Sequence, residues 1–135
     1  MRSASIIAFG SAVSILFTTF TFAQAPQVLS TVPERNELNV TTSTNIAVTF
    51  DSDMNPGTFN DSTFVVNSLS TGLHSGAITY DSLSKTATLD PLVDFVPGEL
   101  VTVVLTDEIE SGGVPMDNPY AWSFITAISG VCCRH

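Results

Sequence analysis

Asp51, Asp53 and Asn55 stand at alternate positions in Asp51-Ser52-Asp53-Met54-Asn55. Oxygen-bearing side chains at that spacing suit Ca²⁺, which takes six to eight hard ligands. Carboxylates from a second acidic segment, with Asp107, Glu108, Glu110 and Asp117, are available to complete such a shell. The calcium-loop motif itself fails: its sixth position would be Pro56 rather than Gly, and its twelfth Ser62 rather than Glu. The expectation is therefore a solvated bend in which Asp and Asn cap local backbone groups, without calcium-dependent stability. His74 is the only histidine in the expected domain. A Ser-His-Asp arrangement would have to use it, but no nucleophile-elbow motif is present. A glycosidase needs two converging carboxylates, and 13 acidic residues make chance pairs inevitable. Cys132-Cys133-Arg134-His135 offers three potential soft-metal ligands, without a fourth or a scaffold. No catalytic, cofactor-binding or metal residue is assigned, and an enzyme is not expected.

The elements that position these groups follow from the alternation of apolar residues. Ile46, Val48 and Phe50 share one face of a strand over Asn45 to Phe50, with Ala47 and Thr49 on the other. Such a strand has one buried face and needs a second sheet to cover it. Val28 to Val32 is a first, edge strand closed by Pro33. Residues 34–44 form a polar loop with apolar contacts at Leu38 and Val40, and Asn55 to Phe59 holds one helical turn with Phe59 inward. Thr63 to Asn67 is β-branched and aromatic, hence a strand. Ser70-Thr71-Gly72 is a turn. Ala77 to Asp81 and Thr86 to Asp90 alternate across the short Ser82-Leu83-Ser84-Lys85 link and form a hairpin. Leu92 and Phe95 are expected to cap the core before the Pro97-Gly98 turn. Leu100 to Thr106 is the most apolar strand and takes a central position. Asp107 to Asn118 is a loop, and Tyr120 to Thr126 is the last strand, with Trp122 and Phe124 on one face.

Seven short strands with no long helical period predict an all-β, Ig-like sandwich, antiparallel for the most part. Its core is expected to contain Ile46, Val48, Phe50, Phe64, Val66, Ile78, Tyr80, Leu89, Val101, Val103, Leu105, Trp122 and Phe124. Residues 1–23 read as a secretory signal: Arg2, an apolar run over Ile6 to Phe22, and a small-x-small site at Thr21-Phe22-Ala23; the rival reading of the run, close to the roughly 17 residues a short span needs, is an uncleaved membrane anchor. The domain expected is 24–126, followed by an unstructured tail over 127–135. No membrane span is expected once the leader is cleaved.

The full chain has 135 residues and a formal net charge of −9. Cleavage after Ala23 removes Arg2 and no acid, leaving the domain still more acidic. That charge repels nucleic acid, whose binding needs Lys and Arg on the phosphates. It also argues against anionic membrane surfaces. The only cysteines, Cys132 and Cys133, are adjacent at the end of the chain, so the domain must hold together by packing.

The order of features resembles bacterial Ig-like domains of the SbsA type. Val32-Pro33 and Ile46-Ala47-Val48-Thr49-Phe50-Asp51-Ser52-Asp53-Met54-Asn55-Pro56-Gly57-Thr58 are similar to that family's opening. Ser75-Gly76-Ala77-Ile78-Thr79-Tyr80, Thr88-Leu89-Asp90-Pro91 with Pro97-Gly98, and Ala121-Trp122-Ser123-Phe124-Ile125-Thr126 resemble its later segments. The similarity covers about residues 27–126. Where the family often has Tyr-Thr-Val after its Pro-Gly, Leu100 or Val101 stands here, so a Tyr tie from strand to loop is not assumed. The resemblance implies a non-catalytic sandwich, secreted or at the cell surface, commonly one module among several. The module stands almost alone, which points to a separated gene piece or a lost partner domain. The partner implied is an unknown protein or surface polymer, and no cofactor. The alternative is a carbohydrate-binding module, for which Tyr120 is the aromatic to check. A periplasmic copper-carrier sandwich resembles the chain in strand pattern only, and its mature N-terminal His corresponds to Gln24 here. Since the family is bacterial, the sequons Asn39-Val40-Thr41 and Asn60-Asp61-Ser62 are taken as chance.

Overall fold

The computed structural model describes residues 24–128. The expected leader, residues 1–23, and residues 129–135 with both cysteines lie outside the described residues. Within them the chain forms β1 (Val28–Val32), β2 (Ile46–Phe50), β3 (Phe64–Ser68), β4 (Gly72–His74) and β5 (Gly76–Asp81). Then follow β6 (Thr86–Pro91), β7 (Leu100–Leu105), β8 (Glu110–Ser111), β9 (Val114–Pro115) and β10 (Tyr120–Ile125). One antiparallel sheet runs β1-β2-β6-β5, the other β10-β7-β3-β4, and β8-β9 is a separate short hairpin. The fold is an all-β, Ig-like sandwich.

β2 forms because its β-branched and aromatic residues alternate with small ones. Ile46, Val48 and Phe50 are fully buried while Ala47 and Thr49 are half-exposed. β7 is central, pairing with β10 on one side and β3 on the other. Val101, Val103 and Leu105 face the core, and Thr102 and Val104 the half-exposed outer side. Trp122 and Phe124 come from β10 and Phe64 and Val66 from β3, so both sheets feed one interior. Each large side chain moved there from water contributes about 1.5–3 kcal/mol.

Ten strand segments replace the seven expected. The additions are β4 and the two-residue β8 and β9, too short for any alternation to show. Ile78 and Tyr80 are half-buried rather than central, because β5 is an edge strand. Leu92 and Leu38 are exposed, at 77% and 61%, against the expectation that they face inward. Pro91 ends β6 and the chain turns outward, so Phe95 fills the core position, its N–H bonded to the Thr42 carbonyl. Val40, Met54, Ile109 and Met116 join the core from loops.

The outer edge of β10 is covered by the segment after β1. Asn36 N–H donates to Ser123 O, Ile125 N–H to Glu37 O and Val40 N–H to Ile125 O. Trp122 Nε1 donates to Pro33 O at 3.0 Å, fixing β10 to the exit of β1. The last described residues continue this path, since Ala127 N–H donates to Val40 O and Gly98 N–H to Ala127 O.

Candidate functional site

The acidic bend after β2 is held at one end of the sandwich by three separate ties. Asp51 Oδ1 accepts the Gln27 N–H at 2.9 Å and the Ser52 hydroxyl at 3.0 Å. Asp53 Oδ1 accepts the Tyr80 hydroxyl at 2.8 Å. Asn55 Oδ1 accepts the Gly57 N–H at 3.0 Å and so caps the single 3-10 turn Pro56–Thr58. One oxygen of each candidate calcium ligand is thus committed to a different donor. The β8 hairpin does reach this bend: Asn55 N–H donates to Glu110 O, and Ser111 Oγ donates to Asp53 O at 2.7 Å. It contributes backbone and hydroxyl contacts. Among the described residues, no group of three His, Cys, Asp or Glu is placed to hold a metal ion. The melting temperature is therefore expected to be the same in calcium and in chelator, within about a degree. A rise of several degrees with calcium would contradict this arrangement.

Tyr80 is the pivot of the bend. Its oxygen accepts the Met54 N–H at 2.7 Å while donating to Asp53. Its ring stacks on Phe59 at 5.6 Å, and Phe59 in turn packs on Phe50 at 5.8 Å. A tyrosine tie from strand to loop thus exists, supplied by β5 rather than by the strand after Pro97-Gly98. Burial pushes the Tyr80 hydroxyl above its ordinary range; the Met54 N–H opposes this, and the hydrogen bond and charge of Asp53 and the charge of Asp81 add to it. The folded state therefore keeps the phenol proton longer than the unfolded chain does. That contribution is complete below about pH 10, the unfolded value, and is lost as pH rises through the raised folded value. Thermal melts from pH 8 to 11.5 should fall at the alkaline end, and Tyr80→Phe should lower stability at pH 8 while flattening that fall. An unchanged alkaline slope in Tyr80→Phe would refute the linkage.

His74 sits at the opposite end in a network that sequence spacing did not reveal. Its Nε2 lies 2.7 Å from Thr71 Oγ1 and 3.3 Å from Ser68 Oγ. Thr71 Oγ1 donates to Glu99 Oε1 at 3.1 Å, and Glu99 Oε2 accepts the Val96 N–H at 3.1 Å. Glu99 is only 2% exposed. Where Thr71 gives its proton to the carboxylate, it accepts from the His74 N–H, and the tautomer of His74 sets these roles. A nucleophilic triad needs the reverse, with the imidazole taking the hydroxyl proton. The cluster instead seats the β3-β4 hairpin and the turn before β7, with the His74 ring against Phe95 at 4.6 Å. Glu99 could not be picked out beforehand, since Thr71 is 28 residues away and no motif links them.

Tyr120, the aromatic of interest for carbohydrate, is half-buried. It packs on Trp122 at 5.8 Å, with the Arg35 guanidinium 5.5 Å from its ring centre. Beside it lies a depression of about 260 Å³ lined by residues that include Gln27, Met116, Asp117 and Asn118. No second exposed aromatic shares that surface among its lining residues. No described helix is long and apolar enough to cross a membrane.

Comparison with known proteins places this geometry. The model of the bacterial Ig-like domain matches residues 23–126. No curated protein matches the sequence. Among solved structures, surface layer protein SbsC, domains 1-6, is similar at 20% identity and a TM-score of 0.58, over 78% of this chain and 14% of that one. The native conformation of E. coli alpha-2-macroglobulin is similar at 16% identity and a TM-score of 0.58, over 78% of this chain and 6% of that one. CopC from Methylosinus trichosporium OB3b is similar at 15% identity and a TM-score of 0.54, over 76% of this chain and 94% of that one. At these identities the likeness is one of fold, and this chain spans only a small part of the S-layer protein. The family match extends over the whole sandwich from β1 to β10, and the chain belongs to the bacterial Ig-like domain family.

Proposed function

We propose that the chain is a non-catalytic, exported Ig-like module of the SbsA type. It serves as a spacer or as an interaction domain at the cell surface or in a secreted assembly. The observation that carries this reading is the direction of the first and last strands. Val28 opens β1 opposite Phe50, beside the acidic bend, and Tyr120 opens β10 opposite Leu105 at the same end. The bend and the loop after β7 meet there through Asn55 and Glu110. Both strands therefore run the same way, so the domain is entered at one end and left at the other. That geometry suits a module strung between neighbours. The two polar clusters support the same reading, because their hydrogen bonds hold loops to the body of the sandwich. The carbohydrate alternative has Tyr120 alone to offer, half-buried under Arg35.

The test is export of the full chain in a bacterial host. The protein recovered outside the cytoplasm should begin at Gln24 by mass spectrometry and give no hits on a glycan array. Retention of the uncleaved chain in the cytoplasm, or a glycan hit abolished by Tyr120→Ala, would overturn the reading.

A further inference from the structure

The sandwich has four sheet edges, and three of them are blunted. β10 is covered by residues 36–40. β4 is three residues long. β1 carries a register shift between Val28 and Ser30 and ends at Pro33. A bulge, a proline or a covering segment is how proteins keep an edge from pairing with other chains. β5 has none of these: six regular residues, Gly76-Ala77-Ile78-Thr79-Tyr80-Asp81, paired on one side only among the described residues.

Its ladder phase is fixed by one bond. Leu92 N–H donates to Ser75 O at 3.0 Å, so Ser75 turns its backbone toward the β6 side. Alternation then directs the N–H and C=O groups of Gly76, Ile78 and Tyr80 outward. Pro91, which has no N–H to give, stands opposite Gly76, as that phase requires. At the Gly76 end lies a depression of about 320 Å³ lined by Thr71, Leu73, His74, Ser75, Leu92 and Val93. Its aliphatic walls are open to water, with Leu73 at 74%, Leu92 at 77% and Val93 at 68%. At the other end are the exposed carboxylates of Asp81 and of Asp53, which is bonded to Tyr80. Asp90 stands opposite Ala77, and Lys85 is the one base in the hairpin.

We propose that β5 is a docking edge for an extended, basic segment of another protein, which adds as a fifth strand antiparallel to it. The segment begins with Lys or Arg facing Asp81 and Asp53, and about 17 Å further on, five residues at about 3.4 Å each, places an aliphatic side chain in the Leu73-Leu92-Val93 depression. Backbone bonds to Gly76, Ile78 and Tyr80 supply the pairing, and the two ends supply the direction. Charge selects against a second copy of this chain, which would set an equally acidic hairpin against Asp81 and Asp90. This rests on the reading of the chain as an interaction module and names the surface and the partner chemistry.

The probe is the peptide acetyl-Lys-Val-Thr-Val-Thr-Leu-amide, titrated into the isotope-labelled full chain and followed by amide shifts and hydrogen exchange. Saturable shifts and slowed exchange are expected at Gly76, Ile78 and Tyr80. The same peptide with Glu in place of Lys should bind at least tenfold more weakly. Ala77→Lys with Thr79→Lys, both on exposed positions, should weaken the Lys peptide at least tenfold while leaving the melting temperature within a few degrees. Three results would overturn the proposal. One is the absence of a saturable response at these amides, and another is a response centred on β1 or β10. The third is protection of the Gly76, Ile78 and Tyr80 amides without peptide, by dimerisation or by the chain's own ends. Failure of the peptide with an exported, glycan-inert chain removes the docking edge and leaves the module reading standing. Failure of export removes the module reading whatever the peptide does.

Discussion

Trp122→Ala is expected to cost the domain about 3–5 kcal/mol, the range for deleting a large buried aromatic. For a domain of roughly 100 residues that lowers the melting temperature by on the order of 15–30 °C, a large share of the roughly 5–15 kcal/mol that holds an ordinary domain folded. The size follows from two separate losses. The indole is 2% exposed and packs from β10 into the interior shared by both sheets. Its Nε1 also donates to Pro33 O, tying the covering segment to the β10 edge. Trp122→Phe separates the two: it keeps most of the volume and loses the hydrogen bond, so about 1–2 kcal/mol is expected. Urea unfolding followed by circular dichroism measures both. Equal losses in the two variants would mean that the tie to Pro33 outweighs packing, contrary to this account.

Gly76→Ala is the second large effect, expected at about 1–3 kcal/mol from overpacking. A Cβ at this position would lie 2.2 Å from Asp90 O and 2.7 Å from Asp90 C. Both are backbone atoms of the neighbouring strand, so no side chain can swing aside to make room. The start of the β5-β6 hairpin must shift, and with it the half-buried Ile78. Hydrogen exchange should speed up first at Ala77, Thr79 and the facing residues of β6. A variant as stable as the parent would show that the two strands are further apart than described. By contrast, Gly72→Ala meets no atom within 4 Å and is strained only by its φ of +82°.

The strands that carry the core were legible because their alternation is local. Ile46 to Phe50 and Tyr120 to Ile125 place a large apolar residue at every second position and turn that face inward, and Leu100 to Leu105, nearly continuous in apolar residues, takes the central place. The β5-β6 hairpin was legible for the same reason and because its link is short and polar. What escaped is what depends on distant partners. Ile109 is fully buried yet sits among Asp107, Glu108 and Glu110, so its surroundings in sequence signal solvent. It is buried because the loop folds back, with Met116 N–H on Ile109 O. Leu92 looked like a core residue by composition, but the outward turn after Pro91 gave the inner place to Phe95.

The polar groups show the same division. Asn55 as a cap was readable from Asn-Pro-Gly, whose geometry is local. Asp53 with Tyr80 lies 27 residues apart in sequence, and Glu99 with Thr71 28 apart. No spacing rule connects such pairs; the sheet register does. The candidate calcium oxygens are neighbours in sequence, and register and turn geometry tie one oxygen of each residue to its own donor. The edge at β5 was likewise invisible until the strand order was known, since nothing in Gly76 to Asp81 distinguishes an edge from a centre.

Everything above depends on two sheets closing over one packed interior. Methyl-labelled protein and nuclear Overhauser spectroscopy test this directly. Cross-peaks are expected from the methyls of Ile46, Val48 and Leu89 in one sheet to those of Val101, Val103 and Leu105 and the rings of Trp122 and Phe124 in the other. Methyls of Val48 and Leu89 that show contacts only within their own sheet, and that respond to a water-soluble relaxation agent, would contradict the account.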